Sequence, residues 1–221
     1  EAFISPGPNQ RYGITVPNIL RTNEWFHIAL VTGPGGMKLF VNGVLAGTNA
    51  YQGSFAALAN NNRNWIGQGG SAQLNPPTLT GQIDEFRVWK VQRTVEQIRD
   101  GMARKLTGAE PGLFGLWNFD DPANPGRDAS PGAHHGKLMG GATITNAALP
   151  TVVFGKITDP SGKPLAGASV EMRQPGREKR LITANGVGEY AITIPVLEPC
   201  DLFVTTGKLS AYRLGFQPSG E

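Results

Sequence analysis

The chain has 221 residues, 39% of them hydrophobic, with 30 Gly, 17 Pro, a single Cys and a formal net charge of +3. That length can bury one large β domain or two smaller ones, and frequent Gly and Pro at ordinary hydrophobic content predict many turns in a folded chain. The small charge and scattered basic residues exclude an electrostatic footprint on nucleic acid. The lone Cys200 excludes an internal disulfide framework or a thiolate zinc cluster, and reads as an apolar filler near a strand. No apolar run approaches the roughly 20 residues of a membrane helix, so membrane insertion is not expected. The chain begins without Met or a signal-like segment and reads as an internal part of a longer polypeptide.

In chain order, residues 1–21 predict one short strand, Tyr12 to Val16, between Pro-bearing irregular segments. Asn23 to Gly47 predicts a three-stranded antiparallel meander. Phe26, Ile28 and Leu30, and then Met37, Leu39 and Val41, recur at the strand period of two. Gly33-Pro34-Gly35-Gly36 breaks the chain between them, and Asn42-Gly43 reads as a two-residue type I′ hairpin loop, since both residues tolerate positive φ. A meander has an oily face that a second sheet must cover, which predicts a β-sandwich. Tyr51 to Asn64 and Gln68 to Thr78 read as loops.

Gly81 to Lys90 predicts a long strand with Asp84, Phe86 and Val88 on one face, where the carboxylate needs a partner. Thr94 and Gln97 form a capping box for a short helix, Val95 to Asp100, with Gly101 placed to stop it. Leu113 to Asp121, apolar on both faces, predicts a central strand, and Gly136 to Thr145 a further hairpin. The pattern changes near Pro150, where a domain boundary is expected. Beyond it come a strand, the turn Asp159-Pro160-Ser161-Gly162, and a strand with Ala168, Val170 and Met172 inward. The loop Arg177 to Arg180 reads as a solvated turn that protects a sheet edge. Tyr190, Ile192 and Ile194 alternate in a further strand, and the segment from Asp201 to Thr206 closes the run.

WFHIALV, KLFVNG, IG and GQIDEFRVWKVQRTVEQI, in that order, resemble the laminin G-like (concanavalin A-type jelly-roll) domains of bacterial surface and sensor proteins. GLWNFDD followed by DASPGAHHGKL is similar to the segment that opens such domains, yet here it comes last, as closing strands or a degenerate repeat. GKITDPSGKPLAGASV and GEYAITIP resemble the carboxypeptidase regulatory-like, transthyretin-like sandwiches. The resemblances imply an all-β chain: an antiparallel jelly-roll sandwich over 1–149, with 113–147 as closing strands and some N-terminal strands missing, then a smaller immunoglobulin/transthyretin-like sandwich over 151–221. They also imply an extracytoplasmic setting, periplasmic or at the cell surface, within a larger multidomain chain.

Candidate chemistry is sparse. His27 alternates with core residues and reads as a sheet histidine; His134 and His135, adjacent in a loop, diverge and make a poor metal pair. Neither HxxE nor HExxH occurs, and no Ser or Cys nucleophile stands at a recognisable spacing from a histidine. Asp120 and Asp121 face opposite ways if they lie on one strand, whereas glycosidic hydrolysis needs two carboxyls facing each other across roughly 5 to 10 Å. In the resembling families an acidic residue at the position of Asp84 helps to bind a structural calcium, so Asp84 is the candidate metal ligand; the acidic N-terminal partner of that pattern is absent, and a carboxylate capping neighbouring N–H groups is the alternative. Trp65 beside Asn61, Asn62 and Asn64, with Tyr51 nearby in sequence, offers a ring to stack on a sugar and amides to read its hydroxyls. The expected function is therefore a non-catalytic module that recognises glycan or protein. A structural spacer or dimerising segment of a sensor or adhesin is the alternative.

Overall fold

The computed structural model describes residues 1–7, 9–58, 64–69, 78–102, 104–147, 150–194, 198–207 and 209–218. Every strand pairing is antiparallel. Among the described residues one α-helix and one 3-10 turn accompany the β-strands.

Strands β1 (Ala2–Gly7) and β2 (Gln10–Ile14) form a hairpin with an irregularity between Ile4 and Gly7. β1 was expected to be irregular because of its prolines; Pro6 falls in the irregular stretch, where a missing N–H breaks no regular ladder. The predicted meander is present as β3 (Ile28–Val31), β4 (Met37–Val41) and β5 (Val44–Asn49). Asn42 (φ 50) and Gly43 (φ 72) make the tight turn between β4 and β5. Ile4 and Ile14 pack on Met37 and Leu39, so the N-terminal hairpin covers the meander. The alternation is imperfect. Ile28 is exposed, whereas Phe40 and Val41 are both buried, because the β4–β5 register shifts between Leu39 and Phe40.

The long strand expected from Gly81 shrinks to β6 (Phe86–Trp89), since Glu85 takes a left-handed φ of 51 that ends extended geometry just before it. Asp84 therefore does not head a strand row. The helix α1 (Val95–Met102) has the predicted capping box: Thr94 N–H donates to Gln97 Oε1 at 3.0 Å, and Gln97 N–H to Thr94 Oγ1 at 3.3 Å. It runs through Gly101 rather than stopping there. Among the described residues β7 (Leu113–Trp117) pairs with β6 alone, at the edge rather than in the centre that its two apolar faces predicted. Its burial comes from a loop. Ala129 N–H donates to Leu116 O at 2.7 Å along the edge a further strand would have used. Residues 136–145 form a turn at Met139–Ala142 and no strand, which corrects the expected hairpin.

From residue 151 the strands pair only with one another. β8 (Thr151–Lys156) pairs with β11 (Glu189–Ile194), and β9 (Ser169–Arg173), β10 (Arg180–Thr183), β12 (Cys200–Thr206) and β13 (Leu209–Phe216) form a second sheet in the order β10-β9-β12-β13. Val153, Ile192 and Ile194 from the first sheet meet Val170, Met172, Cys200 and Leu202 from the second in one buried cluster. The turn at Asp159 is as the sequence predicts: its Oδ1 accepts the N–H groups of Ser161 and Lys163, and Gly162 N–H returns to Asp159 O at 2.9 Å.

The outer face of the β8–β11 sheet is not bare. Thr193, pointing away from the Ile192 and Ile194 core, is buried because the β4–β5 turn sits on it: Asn42 Nδ2 donates to Thr193 Oγ1 at 3.0 Å. Arg99 of α1 donates to Gly43 O at 2.9 Å and pairs with Glu189 at 3.1 Å. Arg180, assigned by sequence to a solvated turn, instead reaches the carbonyl of Thr193 at 2.6 Å beside Glu24. No helix among the described residues is long and apolar enough to cross a membrane.

Candidate functional site

Of the five residues expected to form a sugar-binding cluster, Asn61 and Asn62 lie outside the described residues. Asn64 is exposed and Trp65 is 46% exposed, next to an exposed Ile66. This leaves an indole on the surface of the loop that leads towards β6. Tyr51 is elsewhere in function: its ring stacks on Tyr12, centroids 3.9 Å apart and planes within 6°, and packs against the cluster beneath the first hairpin. A ring held on one face by another ring is part of the core wall rather than an open stacking platform.

Asp84 is half-buried, and its Oδ1 accepts the N–H of Glu85 at 2.8 Å. Burial lifts its carboxyl above the ordinary value, the Glu85 N–H opposes this, and the Asp120 carboxylate adds to it. Asp120 is itself held by Lys105 at 2.6 Å. Calcium takes six to eight oxygens. Among the described residues no group of three or more His, Cys, Asp or Glu side chains stands ready to hold a metal, and the donors around Asp84 do not fit that shell. What the geometry displays is the alternative reading, a carboxylate capping its neighbour's N–H.

Next to Asp84 lies a buried ion pair. Arg87 Nη2 meets Glu85 Oε2 at 2.7 Å, with side chains 10% and 8% exposed. The same guanidinium donates to Gly101 O in the last turn of α1 at 2.6 Å and to Arg104 O just beyond the helix, so it ties down the helix C-terminus. The pair ties β6 to α1. His27 stands within the field of Arg87, and burial, aided by that charge, lowers its pKa to about 4. Its Nδ1 is buried without a hydrogen-bond partner, as is Glu85 Oε1. His27 is therefore neither the satisfied nor the exposed sheet histidine that its alternation suggested.

The carboxylate with the most donors is Asp128, which sequence reasoning passed over. Its Oδ1 accepts Leu116 N–H and Ser130 N–H, each at 2.8 Å, while its Oδ2 accepts Ser130 Oγ–H at 2.9 Å, His134 N–H at 2.9 Å and the His134 ring Nδ1 at 3.0 Å. Burial pushes its pKa up, but the donors from Leu116, Ser130 and His134 outweigh it and hold the carboxyl far below its usual range. The signal in the sequence is Asp128-Ala129-Ser130, an Asp two residues before a Ser, the spacing of a side chain that bonds its own backbone.

Ser130, His134 and Asp128 are all hydrogen-bonded together, yet the arrangement is not that of a nucleophilic triad. Ser130 Oγ bonds Asp128, Phe114 O and the N–H of Gly132, while the imidazole meets the same carboxylate separately. A histidine base must face the hydroxyl it deprotonates, with the carboxylate behind it. His134 and His135 indeed diverge: His134 turns to the Asp128 side chain, and His135 Nδ1 accepts the Asp128 main-chain N–H at 3.1 Å. Asp120 and Asp121 also part, the first to Lys105 and the second to the N–H groups of Ala123 and Asn124.

Residues 2–99 match the family model of the Concanavalin A-like lectin/glucanases superfamily. No match was found among curated proteins or among solved structures. The match covers less than half of the chain and stops before residue 151, so it does not bear on the second pair of sheets. Over the residues it covers, the antiparallel β-architecture is consistent with a concanavalin A-like β-sandwich, a superfamily likeness that suggests a binding module.

Proposed function

We propose that the chain is a non-catalytic recognition module of a larger extracytoplasmic protein, and that the Trp65 loop of its first sandwich meets a glycan or protein ligand. The observation that carries this reading is the indole of Trp65, 46% exposed beside the exposed Asn64. A large ring left in water on a loop costs solvation that a ligand removes, and a pyranose C–H face suits it. The concanavalin A-like match over residues 2–99 supports the same reading. The second pair of sheets, with GKITDPSGKPLAGASV spanning β8 to β9, is read as a carboxypeptidase regulatory-like sandwich that carries no peptidase chemistry of its own.

A glycan array probed with the purified chain tests this. Saturable binding that falls at least 10-fold on Trp65→Ala supports it; silence across neutral and charged glycans, or binding indifferent to that substitution, removes the Trp65 loop from the account. The second reading, a spacer, is favoured by one observation, the buried Asn42–Thr193 contact that joins the two sandwiches.

A further inference from the structure

We propose that a cleft between the segments 123–127 and 135–138 binds the anionic group of an acidic polysaccharide, a carboxylate or a sulfate. It is built from other residues than the Trp65 loop and stands independently of that reading. The cleft has a volume of about 560 Å³. Small-ligand sites run from about 300 to 1,000 Å³, so it has room for a sugar ring with its charged substituent.

Asn124, Arg127, His135 and Lys137 line the cleft, and no Asp or Glu does. Among the described residues neither Arg127 nor Lys137 forms an ion pair. Arg127 helps to lower the pKa of Asp121 from a distance, but the Asp121 oxygens are bonded to the N–H groups of Ala123 and Asn124 and to the Asn124 amide rather than to the guanidinium. Two exposed cations in one concavity whose lining holds no carboxylate favour an anion there over a cation or a neutral group.

His135 adds a donor without a charge. Its Nδ1 accepts the main-chain N–H of Asp128, so in the neutral ring the proton lies on Nε2 and can be donated. The walls are fixed rather than loose. Gly136 N–H donates to Gly126 O at 2.8 Å, and a Cβ on Gly126 would strike Gly136 O at 2.1 Å, so the two segments meet backbone to backbone. Pro125 and Leu138 supply apolar surface for the C–H face of a ring. Nucleic acid fits less well, since a net charge of +3 and two free cations make no phosphate-tracking stripe.

Affinity electrophoresis and calorimetry of the whole chain against polygalacturonate, dextran sulfate, neutral dextran and duplex DNA test the proposal. Expected is retardation by at least one of the two acidic polysaccharides and not by neutral dextran, weakening as salt is raised. Arg127→Glu with Lys137→Glu should reduce binding at least 10-fold, and Lys163→Glu, an exposed charge reversal outside the cleft, should leave it unchanged. Preference for polygalacturonate or for dextran sulfate identifies a carboxylate or a sulfate as the group bound. The milder pair Arg127→Gln and Lys137→Gln, checked by circular dichroism, serves if charge reversal unfolds the loop. No retardation by either acidic polymer, equal retardation of the substituted chains, or tighter binding of DNA than of both polysaccharides would overturn it.

Discussion

His27 stands just before β3 and shares its surroundings with the Arg87 guanidinium, with its Nδ1 buried and without a partner. Burial is the larger cause of its low pKa of about 4 and Arg87 the second, and both disfavour the imidazolium. In an unfolded chain the ring titrates near 6.5. Above that value the ring is neutral in both states and the folded form loses nothing. As pH falls through it, the unfolded chain binds a proton that the folded chain refuses, and stability declines until the folded pKa near 4 is reached. Between pH 7 and pH 4.5 this amounts to roughly 2–3 kcal/mol. His27→Phe keeps the ring volume and removes the proton, so the urea midpoint of this variant should fall less over that interval than that of the parent. Parallel declines in the two proteins would show that His27 titrates freely in the fold. The residue was visible in the sequence as an imidazole alternating with core residues, but its burial against Arg87 was not, because Arg87 arrives from a strand 60 positions away.

The β6–β7 pair illustrates how an element is completed by something other than a strand. β7 reads as a central strand, Leu116 is fully buried and Leu113 nearly so, yet among the described residues β6 is its only strand partner. The other edge is occupied by Asp128 and Ala129, one through its carboxylate on Leu116 N–H and the other through its N–H on Leu116 O. A carboxylate thus stands where a neighbouring strand's carbonyl would, and in the same position it gathers Ser130 and His134 and shapes the loop from 128 to 135. Asp128→Asn replaces one acceptor oxygen by an N–H₂ facing donors, in a buried site. It should cost about 2–4 kcal/mol in urea unfolding. A loss below about 0.5 kcal/mol would mean that the loop stays in place without the carboxylate. The cleft adjoins this anchor, since its lining residue His135 accepts the Asp128 main-chain N–H, so the test of that cleft leaves Asp128 alone.

At the scale of the molecule, the segments before residue 102 and those from residue 151 onward meet, among the described residues, through several polar contacts. Asn42 with Thr193, Arg99 with Glu189 and Arg180 with Glu24 make the joint, with Asn185 Nδ2 reaching Leu45 O at 3.4 Å and Arg99 lying over the Phe154 ring. Each buried hydrogen bond of this kind contributes about 1 kcal/mol net, while leaving one partner stranded costs about 1–3 kcal/mol. Asn42→Gly keeps the positive φ of the turn and deletes only the amide; Thr193→Val keeps the strand and deletes only the hydroxyl. Calorimetry of the parent chain should show one unfolding endotherm, and the double variant a broadened or split one. An endotherm of unchanged shape would mean that the sandwiches unfold together for another reason. The period-two patterns, the Asn42-Gly43 turn, the Thr94–Gln97 cap and the Asp159 turn were legible in the sequence, because each rests on contacts between residues close along the chain. The end of β6 at Glu85, the edge of β7 closed by Asp128, the placement of Tyr51 on Tyr12 and the burial of Asn42 on Thr193 were decided only by the tertiary structure, since each partner lies far away in sequence or depends on a backbone angle that no side-chain pattern encodes.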